Sequence, residues 1–221
     1  MKAHYRGPLH GGARLPDNDA MRDDSTQREI AALAAALMVE EGLPERAAQA
    51  RALQRLGLPA RTPRPGAALL DAAVREHLAI FHADTQPREL AALRATALAW
   101  MQRLAAFEPL LGGAVWHGTA TRRSDIHLQL FSDDPKAVEI ALIDAGVAYD
   151  AAQARGLHGR EVPVLHVSVR CEALDEHVGL HLWVNDGAAR RGARLPDELG
   201  RTPRGTADEV RALLAAAEGA A

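Results

Sequence analysis

The chain has 221 residues, a formal net charge of −3, 48% hydrophobic and 4% aromatic residues, and one cysteine. That length fits one moderate domain, or a small helical unit joined to an α/β one, with a core made mostly of Ala, Leu and Val. A lone cysteine excludes an intrachain disulfide framework and any multi-cysteine zinc or iron–sulfur centre, and the charge balance gives no generic nucleic-acid signal.

Lysine occurs only at Lys2 and Lys136. The abundance of arginine fits a GC-rich coding sequence, with a phosphate-binding surface as the second reading. No run approaches 18 uninterrupted apolar residues, and no basic-then-apolar leader opens the chain. The expectation is a cytoplasmic protein with no membrane segment.

Residues 1–24 combine Gly7, Pro8, Gly11, Gly12 and Pro16 with scattered charges and no period, so a flexible tail is expected there. Thr26 and Glu29 have capping-box spacing ahead of the Ile30, Leu33, Leu37, Met38 stripe, predicting a helix that Gly42 stops. Pro44 opens a second helix carrying Ala47, Ala50, Leu53 and Leu56, ended by Gly57. A third is predicted over Ala67 to Phe81. A fourth runs from near Pro87 to about Phe107, with Leu90, Leu93, Ala97, Met101 and Leu104 on one face.

Gly112 and Gly113 mark a change of period. AVWHG reads as a short strand, TATRRS as a turn or brief helix, and IHLQLF as a strand with Ile126, Leu128 and Leu130 on one face. Asp134 and Pro135 open an amphipathic helix that Gly146 closes. VPVLHVSV and HVGLHLWV read as a hairpin, and a last helix is expected from about Thr206 to Ala217. The predicted organisation is a 1–24 tail, a 25–108 helical region and a 109–221 α/β domain with a C-terminal helix. The fold class is α+β, a helical N-terminal region packed on a small mixed sheet.

GTATRRSDIHLQLF is the most informative segment. Gly118 allows close approach of a phosphate, and Thr119 adds a hydroxyl beside backbone N–H donors. Asp125, at the start of a strand, is placed to hold a divalent cation against that phosphate. Residue 127 faces the same side as residue 125 because the strand period is two. Arg122 and Arg123 either grip phosphate oxygens with their forked guanidinium groups or form a solvated pair balancing nearby acids. Asp125 can equally cap its own loop, and Thr119 can simply close the turn.

At these residues the sequence resembles the DNA polymerase β-like nucleotidyltransferase superfamily. Gly118-Thr119 is similar to that family's Gly-Ser, and Asp125 to its first metal-binding carboxylate. Where the family carries a second carboxylate this chain has His127, and His181 stands at the place for the third. MVEEGLPERAAQARALQRLGLP and VEIALIDAGVAYD resemble a group of proteobacterial proteins with a helical region before a compact nucleotidyltransferase-like half, so the resemblance spans residues 26 to 185 or more.

The resemblance implies Asp125 as catalytic residue, and Gly118, Thr119, Arg122, Arg123 and Ser124 as nucleotide-binding residues. It implies Asp125, His127 and His181 as metal ligands. Family chemistry would be hydroxyl attack on the α-phosphate of a nucleoside triphosphate, assisted by divalent metal. With two imidazoles replacing carboxylates, the set suits zinc, manganese or iron better than two magnesium ions. The expected function is a degenerate nucleotidyltransferase-like protein with a binding, regulatory or structural role. The alternative is a metal-dependent transferase moving a nucleotidyl group to an acceptor, using Mg, Mn or Zn. A nucleotide is the expected ligand, with a protein partner or a second copy also open. His117 and His166 are expected to share the sheet. Trp116 and Trp183 are expected to pack in the core, and Trp100 to anchor the helical part against the sheet.

Overall fold

The computed structural model describes residues 18–197 and 200–219. The expected tail lies outside the described residues as far as position 17. From there α1 (Asn18–Glu41) runs unbroken, so Thr26 falls inside the helix rather than capping it. The reason is in the sequence: no glycine or proline intervenes until Gly42, whose φ of 66° ends the helix. α2 (Glu45–Arg55) follows, with Pro44 at its N-cap, and then α3 (Ala67–Phe81).

These helices build small cores of their own. One joins Ile30, Ala34 and Leu37 to Ala48, Ala52, Leu53 and Leu70; the other joins Ala35 and Val39 to Val74 and Leu78. On α2 the buried positions are Ala48, Gln49, Ala52 and Leu53, while Ala47 and Ala50 face solvent. With so many alanines, pattern alone did not distinguish the two faces.

α4 (Gln86–Arg103) belongs to the main core. Its Leu93, Ala97, Trp100 and Met101 pack with the sheet. Next come β1 (Leu110–Gly112) and α5 (Gly113–His117). The expected AVWHG strand is therefore a turn of helix. The strand ends at Gly112, Gly113 turns the chain with φ 68°, and Gly118 closes the helix at φ 82°. Trp116 and His117 accordingly sit on that helix, not in the sheet.

β2 (Ile126–Phe131), α6 (Pro135–Asp144), β3 (Asp150–Arg155), β4 (Glu161–Cys171), β5 (Glu176–Asn185), β6 (Arg204–Gly205) and α7 (Ala207–Glu218) complete the chain. Asp134 accepts from the Lys136 N–H, and Thr206 and Glu209 form a reciprocal cap on α7. The strands form one mixed sheet in the order β3-β4-β5-β2-β1-β6. β2 and β5 are parallel; the other neighbours are antiparallel. The architecture is thus α+β, a helical region packed on a small mixed sheet. β3 was not foreseen because DAAQAR is mostly exposed and lacks an apolar alternation.

Burial is heavier on one face; on the other, Leu110 and Phe131 pack with Ala189 and Ala193 in a smaller cluster. Ile126, Leu128, Leu130, Leu165, Val167, Leu180, Leu182 and Val184 all face α4, α6 and α7 in a single core. The alternate residues point to the opposite face. Cys171 ends β4 buried, and the Thr96 hydroxyl donates to its sulfur at 3.3 Å. Apolar side chains also reach solvent, notably Ile140 and Ile143 on the outer side of α6. Among the described residues no helix is long and apolar enough to cross a membrane.

A buried arginine ties α5 to α4. Arg94 Nε donates to the Val115 carbonyl at 3.1 Å and Nη2 to the Trp116 carbonyl at 3.3 Å. These are last-turn carbonyls with no partner inside so short a helix. Arg94→Met should therefore destabilise the fold by about 2–4 kcal/mol in denaturant unfolding, because buried hydrogen bonds to a charged group are lost and two acceptors are stranded. Arg94→Lys should not restore the loss, since a point-charge ammonium does not span both carbonyls as a planar fork does.

Candidate functional site

The face of the sheet turned away from α4 carries the chemistry. Strand register aligns Gly112, His127, His181, His166 and Asp150 across β1, β2, β5, β4 and β3. Three imidazoles therefore stand side by side on adjacent strands. The rings of His127 and His181 stack with centroids 4.8 Å apart, and those of His166 and His181 meet edge to face at 4.6 Å. One further row along, Gln129 and Trp183 are paired, so Trp183 lies half-buried on this open face rather than in the core.

Asp125 sits just before β2 and reaches across to β5. His181 Nε2 lies 3.0 Å from Asp125 Oδ2, and its other nitrogen lies 2.6 Å from His166 Nδ1. The hydrogen bond from His181, aided by a Gly179 backbone bond, holds the Asp125 carboxyl below the usual carboxylate range. An ionised Asp125 only accepts, so His181 Nε2 carries a proton. If His181 is neutral, its Nδ1 must then accept from His166. With that neutral ring the three groups form a directed chain from His166 through His181 to Asp125.

Gly179 makes this possible. A Cβ there would lie 2.5 Å from Asp125 Oδ1, so a side chain would displace the carboxylate. Gly113 plays a similar part beside His127, where a Cβ would come within 3.3 Å of the ring.

A cleft of about 560 Å³ opens over this corner of the sheet. One wall is the end of α1 and the turn into α2, including Met38, Gly42, Leu43 and Glu45; the other includes Thr119, Thr121, Arg123, Ser124, Asp125, His127 and His181. Asp125, Thr119, Arg123, Ser124, His127 and His181 are thus brought together. Gly118 and Arg122 lie elsewhere. Gly118 faces the start of α4, where Gln86 donates to its carbonyl at 3.1 Å. Arg122 is ion-paired with Glu176, and its backbone N–H donates to Glu89 at 2.9 Å.

Two of the cleft residues have local duties. The Ser124 hydroxyl accepts from the Thr121 N–H at 3.1 Å, and Arg123 Nη1 donates to the Glu40 carbonyl at 2.6 Å. His117 points to another seam, beside Asp71 and Arg201. Among the described residues, the group whose imidazole and carboxylate ligand atoms all lie within 4.8 Å of one another is Glu40, His77 and His82.

No family model matches the chain, and no curated protein matches it. Solved structures of Cid1 are similar to part of it. Cid1 in complex with the UTP analogue UMPNPP aligns with 48% of this chain and 32% of its own, at 17% identity and a TM-score of 0.31. The Cid1 poly(U) polymerase with MgGTP bound covers 48% of this chain and 34% of its own, at 16% identity and a TM-score of 0.31. A third Cid1 structure, described for its RNA terminal uridylyl transferase activity, covers 48% and 32% at 18% identity and a TM-score of 0.29. The chain spans about a third of the length of the structures it matches.

Burial, reinforced by His181, holds the His127 imidazole below its ordinary value. An unfolded histidine takes up a proton near pH ~6.5, whereas folded His127 resists it. The stability gained is fully present above about pH 6.5 and is lost as the pH falls toward the folded value. His117, also lowered mainly by burial, acts in the same direction. The melting temperature should therefore drop between about pH 7.5 and 5, and His127→Gln should make that drop shallower. An unchanged slope in the variant would contradict the assignment.

Proposed function

We propose that this chain is a nucleotidyltransferase-like module that binds a nucleotide through its phosphates in the Asp125 cleft and does not carry out two-metal nucleotidyl transfer. The reading rests on one observation above all. Asp125, the carboxylate on the sheet side of the cleft, is already committed to His181, and the strand positions beside it, 127 and 181, are imidazoles.

That donor set does not fit a pair of magnesium ions. Magnesium takes hard oxygen ligands in near-octahedral arrangement and is held by carboxylates. Here one negative charge stands where the family resemblance calls for three, and His127 resists even the proton it would take up in solution. No transfer step is therefore assigned to this site.

What the cleft does offer is anion recognition. Arg123 is exposed, Thr119 and Thr121 add hydroxyls, and Ser124 keeps its hydroxyl proton to donate while its oxygen accepts from Thr121. Guanidinium and hydroxyl donors of this kind complement phosphate oxygens.

The second reading is a metal-dependent transferase in which Asp125, His127 and His181 hold a zinc-class ion. It is favoured by the way His181 touches both of the others. Calorimetric titration with each nucleoside triphosphate separates the two. The binding module should bind without added metal, keep its affinity within about threefold in Asp125→Asn, and lose about tenfold in Arg123→Ala, the loss expected for one charge-assisted contact. Metal-dependent binding that disappears in Asp125→Asn, with pyrophosphate released, would support the transferase instead. No binding under any metal condition would overturn both.

A further inference from the structure

We propose that Glu40, His77 and His82 form a second, independent site, for a zinc-class divalent cation, at the junction of α1 and α3. Glu40 Oε1 lies 2.9 Å from His77 Nε2 and 2.6 Å from His82 Nε2. All three ligand atoms fall within 4.8 Å of one another. Ligands at ~2.0–2.2 Å from a tetrahedral zinc stand roughly 3.3 Å apart, so small side-chain rotations bring this set to bonding distance.

Sequence spacing hides the site. Five residues of a regular helix turn about 500°, which would leave positions 77 and 82 on different sides. His82, however, has already left the helix: it is the C-cap of α3, with φ −130° and ψ 15°. That break swings its ring back to within 5.9 Å of the His77 ring, centroid to centroid. Packing of α1 on α3 through Ala35, Val39, Val74 and Leu78 then delivers Glu40 from the facing helix.

The ligand chemistry selects the cation class. Two imidazole nitrogens and one carboxylate oxygen suit zinc, cobalt, nickel or copper and disfavour magnesium and calcium, which take oxygen ligands. Three protein ligands with Glu40 facing solvent leave a fourth position for water. The backbone of Glu40 is itself fixed, since its carbonyl accepts from Arg123 at 2.6 Å. A bound cation would clamp the end of α1 to the end of α3. It shares no ligand with the Asp125 corner.

The test uses tag-free, metal-stripped protein titrated with Co²⁺, whose visible d–d bands report the ligand field, and then with Zn²⁺ in competition. One equivalent should bind per chain in the unaltered protein and in Asp125→Asn, and Zn²⁺ should raise the melting temperature of both. His77→Ala/His82→Ala should weaken binding by ~100-fold or more, at least the cost known for losing an outer-shell partner. The same variant should lose the thermal shift while keeping its metal-free circular dichroism spectrum. If the double variant is misfolded, Glu40→Gln, a near-isosteric change on an exposed side chain, serves in its place and should show the same loss. The proposal is overturned if the unaltered protein shows no stoichiometric binding, if binding is undiminished without these ligands, or if Asp125→Asn alone removes it.

Discussion

The rest of the structure depends on one constraint: the central strands bury a continuous apolar row on one face. Ile126, Leu128 and Leu130 on β2, with Leu180, Leu182 and Val184 on β5, lie against α4 and α6 almost without exposure. Each such side chain contributes about 1.5–3 kcal/mol by leaving water. A slip of one residue on β2 would bury His127 and Gln129 and expose the three apolar side chains, so the register is strongly held. Because side chains alternate, fixing the apolar row also fixes the polar one. The imidazole row His127–His181–His166 is thus set by the core on the other side of the sheet.

The same logic explains what was legible in the sequence. The apolar alternation of IHLQLF and HVGLHLWV predicts two strands, and both form. The α3 boundaries, the α6 cap at Asp134 and the α7 cap at Thr206 are likewise readable from local signals. What fails are features whose cause is not local. AVWHG has strand-forming residues, yet Gly112, Gly113 and Gly118 turn it into a helix that Arg94 holds from another element. β3 has no apolar stripe because it is an edge strand with little to bury. At the site, Asp125, His127 and His181 are brought together in space, but pairing of β2 with β5 across an intervening helix and two strands is a tertiary fact. Gly179 was invisible as a site residue because its role is to leave room for Asp125.

The cleft arises where two differently built parts meet. α1, α2 and α3 pack on one another through small aliphatic cores, while α4 joins the sheet. Polar contacts bridge the seam: Arg75 to the His117 carbonyl, Arg201 to Asp71, and Arg123 to the Glu40 carbonyl. A polar seam leaves space and donors where an apolar one would close up. The Asp125 corner therefore faces a wall of helix ends, and the Glu40–His77–His82 cluster is carried by α1 and the α3 end, helices that also line the cleft. Electrostatics then distinguish this corner from an acid-rich metal centre, with a committed carboxylate beside imidazoles and an exposed guanidinium.

The central claim is that a phosphate-bearing ligand occupies the cleft over the imidazole row. Ring-labelled histidine NMR during titration with a nucleoside triphosphate tests it most directly. The account predicts saturable shifts of the His127 and His181 rings, carried to His166 through the contact with His181. His158, in the turn between β3 and β4, should stay unchanged. Unshifted His127 and His181 signals at saturating ligand, or shifts confined to histidines outside the row, would contradict it.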